Sequence, residues 1–229
     1  MFRFFKKKTS SSKAPENVSA IKIKTKEGST HIRVGDTAER KVNLDEDMHF
    51  FTPVIRNFEA EDTFEQIIVN DKLGDDIGAF AAKVKKQPNG NTGIDYVFKS
   101  DLAKYGITED QLFEACLHNL SALGLKIDVM TDPGSGDRMF RITSQIGLAT
   151  SLVYDTDFVE KLKADLEAEV LHVNIINSGT LLFTTGKSSF DAHIEKMALE
   201  TTYTDPLNIH SATYLWDDGH LRMIKKYRS

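Results

Sequence analysis

Apolar and polar residues alternate over residues 18–34. Ile21 and Ile23 interleave with Lys22 and Lys24, and Ile32 and Val34 resume the pattern beyond Glu27-Gly28-Ser29. This predicts a β-hairpin with a basic outer face. From Gly35 to Asp47 the period disappears and charge accumulates, in Glu39-Arg40-Lys41 and Asp45-Glu46-Asp47, as in a linker at a domain boundary. Residues 50–58 read as an edge strand or extended lead-in, because Pro53 has no N–H to give a central ladder. Phe64, Ile67 and Ile68 then predict one helix, and Ile77, Phe80, Ala81 and Val84, at i, i+3, i+4 and i+7, predict a second, with Gly74 and Gly78 at the junction. The segment Gln87-Pro88-Asn89-Gly90-Asn91-Thr92-Gly93 reads as a loop.

Beyond that loop, Tyr96 to Phe98 is a candidate strand. Ser100 is placed to cap a short helix that Gly106 ends. Thr108 and Gln111 form a capping box for a helix with Leu112, Phe113, Cys116, Leu117 and Leu120 on one stripe, stopped by Gly124. Three strands are expected at 126–130, 139–143 and about 148–153, the first two joined by Asp132-Pro133-Gly134-Ser135-Gly136. Asp155 or Asp157 caps a helix carrying Phe158, Val159, Leu162 and Leu166. Residues 170–176 and 180–184 form a hairpin over Asn177-Ser178-Gly179. Ser188 starts a helix with Phe190, Ile194, Met197 and Ala198 inward, and residues 213–216 and 221–224 pair around Asp218-Gly219. The order is helix, three strands, helix, two strands, helix and a final hairpin. Short connections force antiparallel pairing, so the expected fold is an α+β two-layer sandwich of antiparallel sheet and helices, preceded by the N-terminal hairpin. The expected division is a disordered basic leader at 1–17, hairpin and acidic linker at 18–47, and the main α+β domain at 48–229.

The chain has 229 residues, with 29 basic against 34 acidic and a net charge of −5. Proteins that bind nucleic acid without specificity usually carry a basic excess, so no nucleic-acid partner is expected. One cysteine, Cys116, excludes an intramolecular disulfide and a cysteine-rich zinc site. No run approaches the roughly 20 apolar residues of a membrane-spanning helix. The start, with Phe2, Phe4 and Phe5 beside Lys6-Lys7-Lys8, lacks the apolar core of a secretory signal. A cytoplasmic location is expected, with weak contact between the leader and a membrane surface.

The stretch from about 50 to 225 resembles the YtpQ family of bacterial proteins. The likeness rests on Phe51-Thr52-Pro53-Val54-Ile55-Arg56, on the segment from Lys99-Ser100-Asp101 through Tyr105-Gly106-Ile107-Thr108 to His118-Asn119-Leu120, and on Pro206-Leu207 with Tyr214-Leu215-Trp216-Asp217-Asp218-Gly219. The middle piece is the most specific. The N-terminal hairpin and Asp45 to Asp47 lie outside the pattern, and the resemblance implies no catalytic residues. The order of elements is also similar to that of small dimeric chaperones serving bacterial secretion systems, which implies binding of an extended partner chain.

Chemistry-bearing motifs are few. Thr185-Gly186-Lys187-Ser188 sits between a strand and a helix, but a phosphate-binding loop needs glycine five residues before Gly186, where Leu181 stands. A strand-to-helix turn capped by Ser188 is expected instead, and Gly134-Ser135-Gly136 is read as a hairpin turn. Cys116 falls on an apolar stripe, and His118, two residues on, points elsewhere. Asp191 and His193 are separated in the same way. The histidines at 31, 49, 118, 172, 193, 210 and 220 show no metal-ligand spacing. Capping and turn roles account for Asp155 with Asp157 and for Asp217 with Asp218 beside His220. No catalytic residue, cofactor or metal is therefore expected. Tyr203, Tyr214 and Trp216 are the candidate partner-binding residues, with core packing as their alternative use. The leading expectation is a non-catalytic protein-binding domain, chaperone- or adaptor-like, acting through the sheet face or the C-terminal hairpin, with a homodimer as one form. The alternatives are a hydrolase or phosphate-handling enzyme whose site assembles only in the fold, and an immunity-type protein that neutralises a toxin.

Overall fold

The computed structural model describes residues 29–32, 50–58, 66–70, 73–86, 92–144, 146–201, 207 and 209–227. In chain order the strands are β1 (Ser29–Ile32), β2 (Phe50–Asn57), β3 (Val69–Asn70), β4 (Ile77–Lys86), β5 (Thr92–Tyr96), β6 (Leu125–Thr131), β7 (Arg138–Ser144), β8 (Leu171–Asn177), β9 (Thr180–Thr185), β10 (Ala212–Asp217) and β11 (His220–Lys226). The helices are α1 (Lys99–Tyr105), α2 (Glu109–Asn119), α3 (Thr156–Asp165) and α4 (Asp191–Glu200), with 3₁₀ helices at Leu120–Leu123 and Ala149–Tyr154.

The fold is α+β. One antiparallel sheet runs β1-β6-β7-β9-β8-β10-β11. In a second, β4 pairs with β2 on one side and with β3 and then β5 along the other. The large sheet is a row of local hairpins, β6–β7, β8–β9 and β10–β11, joined at the seams β7–β9 and β8–β10. Alternate residues sort to its two faces. Ile127, Phe140, Ile142, Val173, Phe183, Tyr214 and Trp216 meet Val159 and Leu162 of α3 and Ile55, Ile77 and Ala79 of the small sheet. On the other face Met139, Ile176 and Leu182 meet Ile194 and Ala198 of α4.

Several caps and turns lie where local signals predict them. Gln111 N–H donates to Thr108 Oγ1 at 3.2 Å while Thr108 N–H donates to Gln111 Oε1 at 3.0 Å. Gly106 and Gly124 close their helices at φ 64° and 61°, a region that favours glycine. Asp155, of the two candidates, accepts from Phe158 N–H at 3.0 Å. Asp218 and Gly219, at φ 46° and 86°, form the predicted turn.

Several expectations are corrected. Ile77 to Val84 is not helical but is β4, the strand at the centre of the small sheet. Both of its faces are buried, Ile77, Ala79 and Ala81 on one and Phe80, Ala82 and Val84 on the other, and a continuous apolar run matches a helical stripe by accident. Ile67 and Ile68 are likewise extended. Ile67 bridges Phe98, and Ile68 N–H donates to Val97 O while Ile68 O accepts from Ala81 N–H. Phe64 lies outside the described residues. The third strand expected near 148–153 is a 3₁₀ helix with Ala149 to Val153 all buried. The strand placed at Tyr96 to Phe98 runs earlier, as β5. Phe98, not Ser100, precedes α1, with its N–H bonded to Asp101 Oδ2 at 3.1 Å. Leu117 is 42% exposed and leaves the α2 stripe. The last helix begins at Asp191, three residues after Ser188. Of the N-terminal hairpin, Ser29–Ile32 is described, and it pairs with β6 at the edge of the large sheet. The rest of that hairpin, the leader, the acidic linker and most of the 87–93 loop lie outside the described residues. As expected for an edge strand, β2 pairs, among the described residues, only with β4, and on its other side Asn119 Nδ2 donates to Phe51 O at 2.9 Å.

Candidate functional site

The sequence motifs resolve into structure. Thr185 ends β9 and donates from Oγ1 to Lys187 O at 3.0 Å, while Ser188 Oγ accepts from Phe190 N–H at 3.2 Å. These bonds build a turn ahead of α4. Asp132 Oδ1 accepts from Gly134 N–H at 2.8 Å and Asp132 O from Gly136 N–H at 2.8 Å, which makes the glycine segment the β6–β7 turn. Bonds from the Ser189 hydroxyl and the Gly134 N–H hold the Asp132 carboxyl below its ordinary range. Cys116 is fully buried, and burial pushes its thiol up to about 12, which suppresses the thiolate needed for nucleophilic chemistry. His220 Nε2 lies 3.2 Å from Asp75 Oδ1. No group of three metal-ligating side chains forms among the described residues, and no helix there is long and apolar enough to cross a membrane.

Tyr214 and Trp216 share a face of β10, as the strand period predicts, but that face is the core. They are 0% and 2% exposed. They anchor the sheet, not a surface. Tyr203 lies outside the described residues. Trp216 Nε1 donates to the Glu160 carboxylate on α3, and the Tyr214 hydroxyl donates to Asp76 Oδ2 at 3.2 Å. The same carboxylate oxygen accepts from Asn57 Nδ2 at 3.0 Å, and Asn57 Oδ1 accepts from His210 N–H at 2.7 Å. Asp76 Oδ1 is buried with no hydrogen-bond partner. This cluster joins the end of β2, the approach to β4 and the lead into β10, and so it ties the small sheet to the large one. No sequence signal marks it, because its members are brought together only by tertiary structure.

A second polar chain lies beneath α4. Asn174 Nδ2 donates to Thr184 Oγ1 at 3.2 Å, and Thr213 Oγ1 donates to Asn174 Oδ1 at 2.7 Å. The single Thr213 proton is thereby used, so the Tyr227 hydroxyl donates to Thr213 Oγ1, 2.8 Å away. On the same face of β8, burial holds the His172 imidazole below its ordinary 6.5, with Asp191 of α4 acting in the opposite direction. The folded state thus disfavours the His172 proton. This contribution to stability is complete above 6.5 and is lost as pH falls through 6.5 toward the lower folded value. Urea midpoints measured between about pH 7.5 and 5 should fall, and His172→Gln should flatten the decline. An unchanged slope in the variant would count against this origin.

The remaining surface feature is β11. Among the described residues it pairs with β10 alone within its sheet and forms one edge. At its start Gly74 bridges Leu221 in parallel, and a Cβ at Gly74 would lie 2.5 Å from Leu221 O, so glycine permits this approach. Arg222 to Lys225 are exposed: Met223 is 37% and Ile224 48% accessible, between Arg222 and Lys225. Lys225 Nζ pairs with Glu195 Oε1 of α4 at 3.0 Å. Searches of protein-family models, curated proteins and solved structures each find no match to this chain.

Proposed function

We propose that this protein is a non-catalytic, adaptor- or chaperone-like domain that binds another protein, and that the YtpQ-like stretch from about 50 to 225 is the binding unit. One observation carries the proposal: the large sheet ends in an edge strand, β11, whose exposed Met223 and Ile224 sit beside cationic side chains. Sheet edges with accessible side chains are a recurrent means of capturing an extended chain. The C-terminal hairpin, one of the two surfaces expected from sequence, supplies that edge. Tyr214 and Trp216 serve beneath it by holding β10 to the core.

The test is affinity capture. The full chain is immobilised and native cell lysate is passed over it at physiological salt. Saturable, stoichiometric retention of one protein is the expected result, and a column that retains no protein above a blank overturns the proposal.

A further inference from the structure

Resting on that protein-binding reading, we propose that the outer edge of β11 accepts an extended segment of another protein in which carboxylates alternate with apolar side chains. The hydrogen-bonding phase of the strand comes first. Asp217 and His220 flank a two-residue turn, so they form a hydrogen-bonded pair, and the peptide groups of the β11 residue in the next pair, Trp216 and Leu221, turn away from β10. The bridge from Gly74 reaches Leu221 on this outward side. Met223 is two residues further and opposes Tyr214, so it has the same phase and presents its N–H and C=O outward, past the point where Gly74 stops.

Side-chain chemistry then selects the occupant. Arg222 and Lys225 oppose Leu215 and Thr213, on the side of the sheet that carries α4. Met223 opposes Tyr214 on the core side, and the register shift leaves Ile224 as the extra residue of a bulge. An added strand therefore meets Arg222 and Lys225 along one face, Lys225 shared there with Glu195 of α4, and an apolar residue on the other. Because side chains in a strand alternate between faces, the complementary sequence alternates acidic and apolar residues. The stretch His220–Lys226 holds three lysine or arginine residues and no carboxylate, in a chain whose net charge is −5. A second copy of β11 would set cations against cations, which disfavours self-pairing.

The probe is a labelled eight-residue peptide alternating glutamate with valine, compared with one carrying lysine for glutamate, in anisotropy titrations with the full chain. The glutamate peptide should bind, more weakly as salt rises, and the lysine peptide should not. Exchange of the Met223 amide should slow on binding. Met223→Pro removes an outward donor without taking a bond from β10 and should weaken binding roughly tenfold. Arg222→Glu, at an exposed position, should weaken it by about as much, and it keeps the test intact if the proline variant does not fold. Absence of glutamate-peptide binding, or binding that Arg222→Glu leaves unchanged, overturns the proposal. So does a dimer of the wild-type chain that Arg222→Glu breaks, since the occupant would then be a second copy. If the capture column retains its protein equally well with wild type and Arg222→Glu, the edge assignment fails while the protein-binding reading stands. A column that retains nothing removes both.

Discussion

Replacing Trp216 with alanine is expected to cost about 3–5 kcal/mol of folding stability, the range for deleting a large aromatic side chain from a packed core. The indole is 2% exposed and packs in the main cluster with Tyr214 and Leu221. Its Nε1 is bonded to Glu160, so the substitution also removes a polar tie between β10 and α3. An aromatic residue serving only as a partner anchor would give the opposite pattern, with lost affinity and unchanged stability. The protein has one tryptophan, so the variant has no indole fluorescence and its urea unfolding must be followed by circular dichroism. A loss below about 1 kcal/mol, the scale of an ordinary surface change, would contradict the core assignment.

Asn57→Ala is expected to cost about 2–4 kcal/mol, because it strands a partner as well as removing bonds. The side chain is fully buried, donates to Asp76 and accepts from His210 N–H. Its loss removes the Asn57 acceptor of the His210 N–H, at about 1–3 kcal/mol for a buried donor deprived of its bond, and one of the bonds to Asp76 Oδ2, at about 1 kcal/mol. Tyr214→Phe removes the other bond to the same Asp76 oxygen and should cost about 1–2 kcal/mol. The two variants share that carboxylate, so the double variant should depart from additivity by more than the ~0.5 kcal/mol seen for independent sites. Strict additivity in chemical denaturation would show that the cluster does not act as a unit.

These two sites differ in how far the sequence announces them. Tyr214 and Trp216 are visible as a pair because a strand period puts them on one face, and the turn at Asp218-Gly219 identifies the hairpin. Which side of the sheet that face meets is decided by α3 and the small sheet, from distant parts of the chain. Asn57 and Asp76 carry no pattern at all. The capping box of Thr108 and Gln111 is legible because all its atoms lie within four residues. The β4 segment reads as helical because burial on both faces erases the alternation that distinguishes a strand from a helix. Ala149 to Val153 reads as a strand for a related reason, since all five residues are buried and the run has no polar face. β11 reads as a strand, but its position at an edge depends on the order of the whole sheet.

The pairing of β10 with β8 and the bond from Tyr214 to Asp76 have a consequence for synthesis. Asp76 precedes its hydroxyl partner by 138 residues, an interval of about 7–30 s at ribosomal rates of roughly 5–20 residues per second. During that interval the seam side of β8 and the main core lack the ring of Tyr214 and the indole of Trp216. The β6–β7 and β8–β9 hairpins can close as soon as they emerge, whereas the lock between the two sheets must await the last hairpin. A nascent chain halted before residue 212 would display an uncovered strand edge beside an open apolar face, the kind of surface on which a chaperone acts.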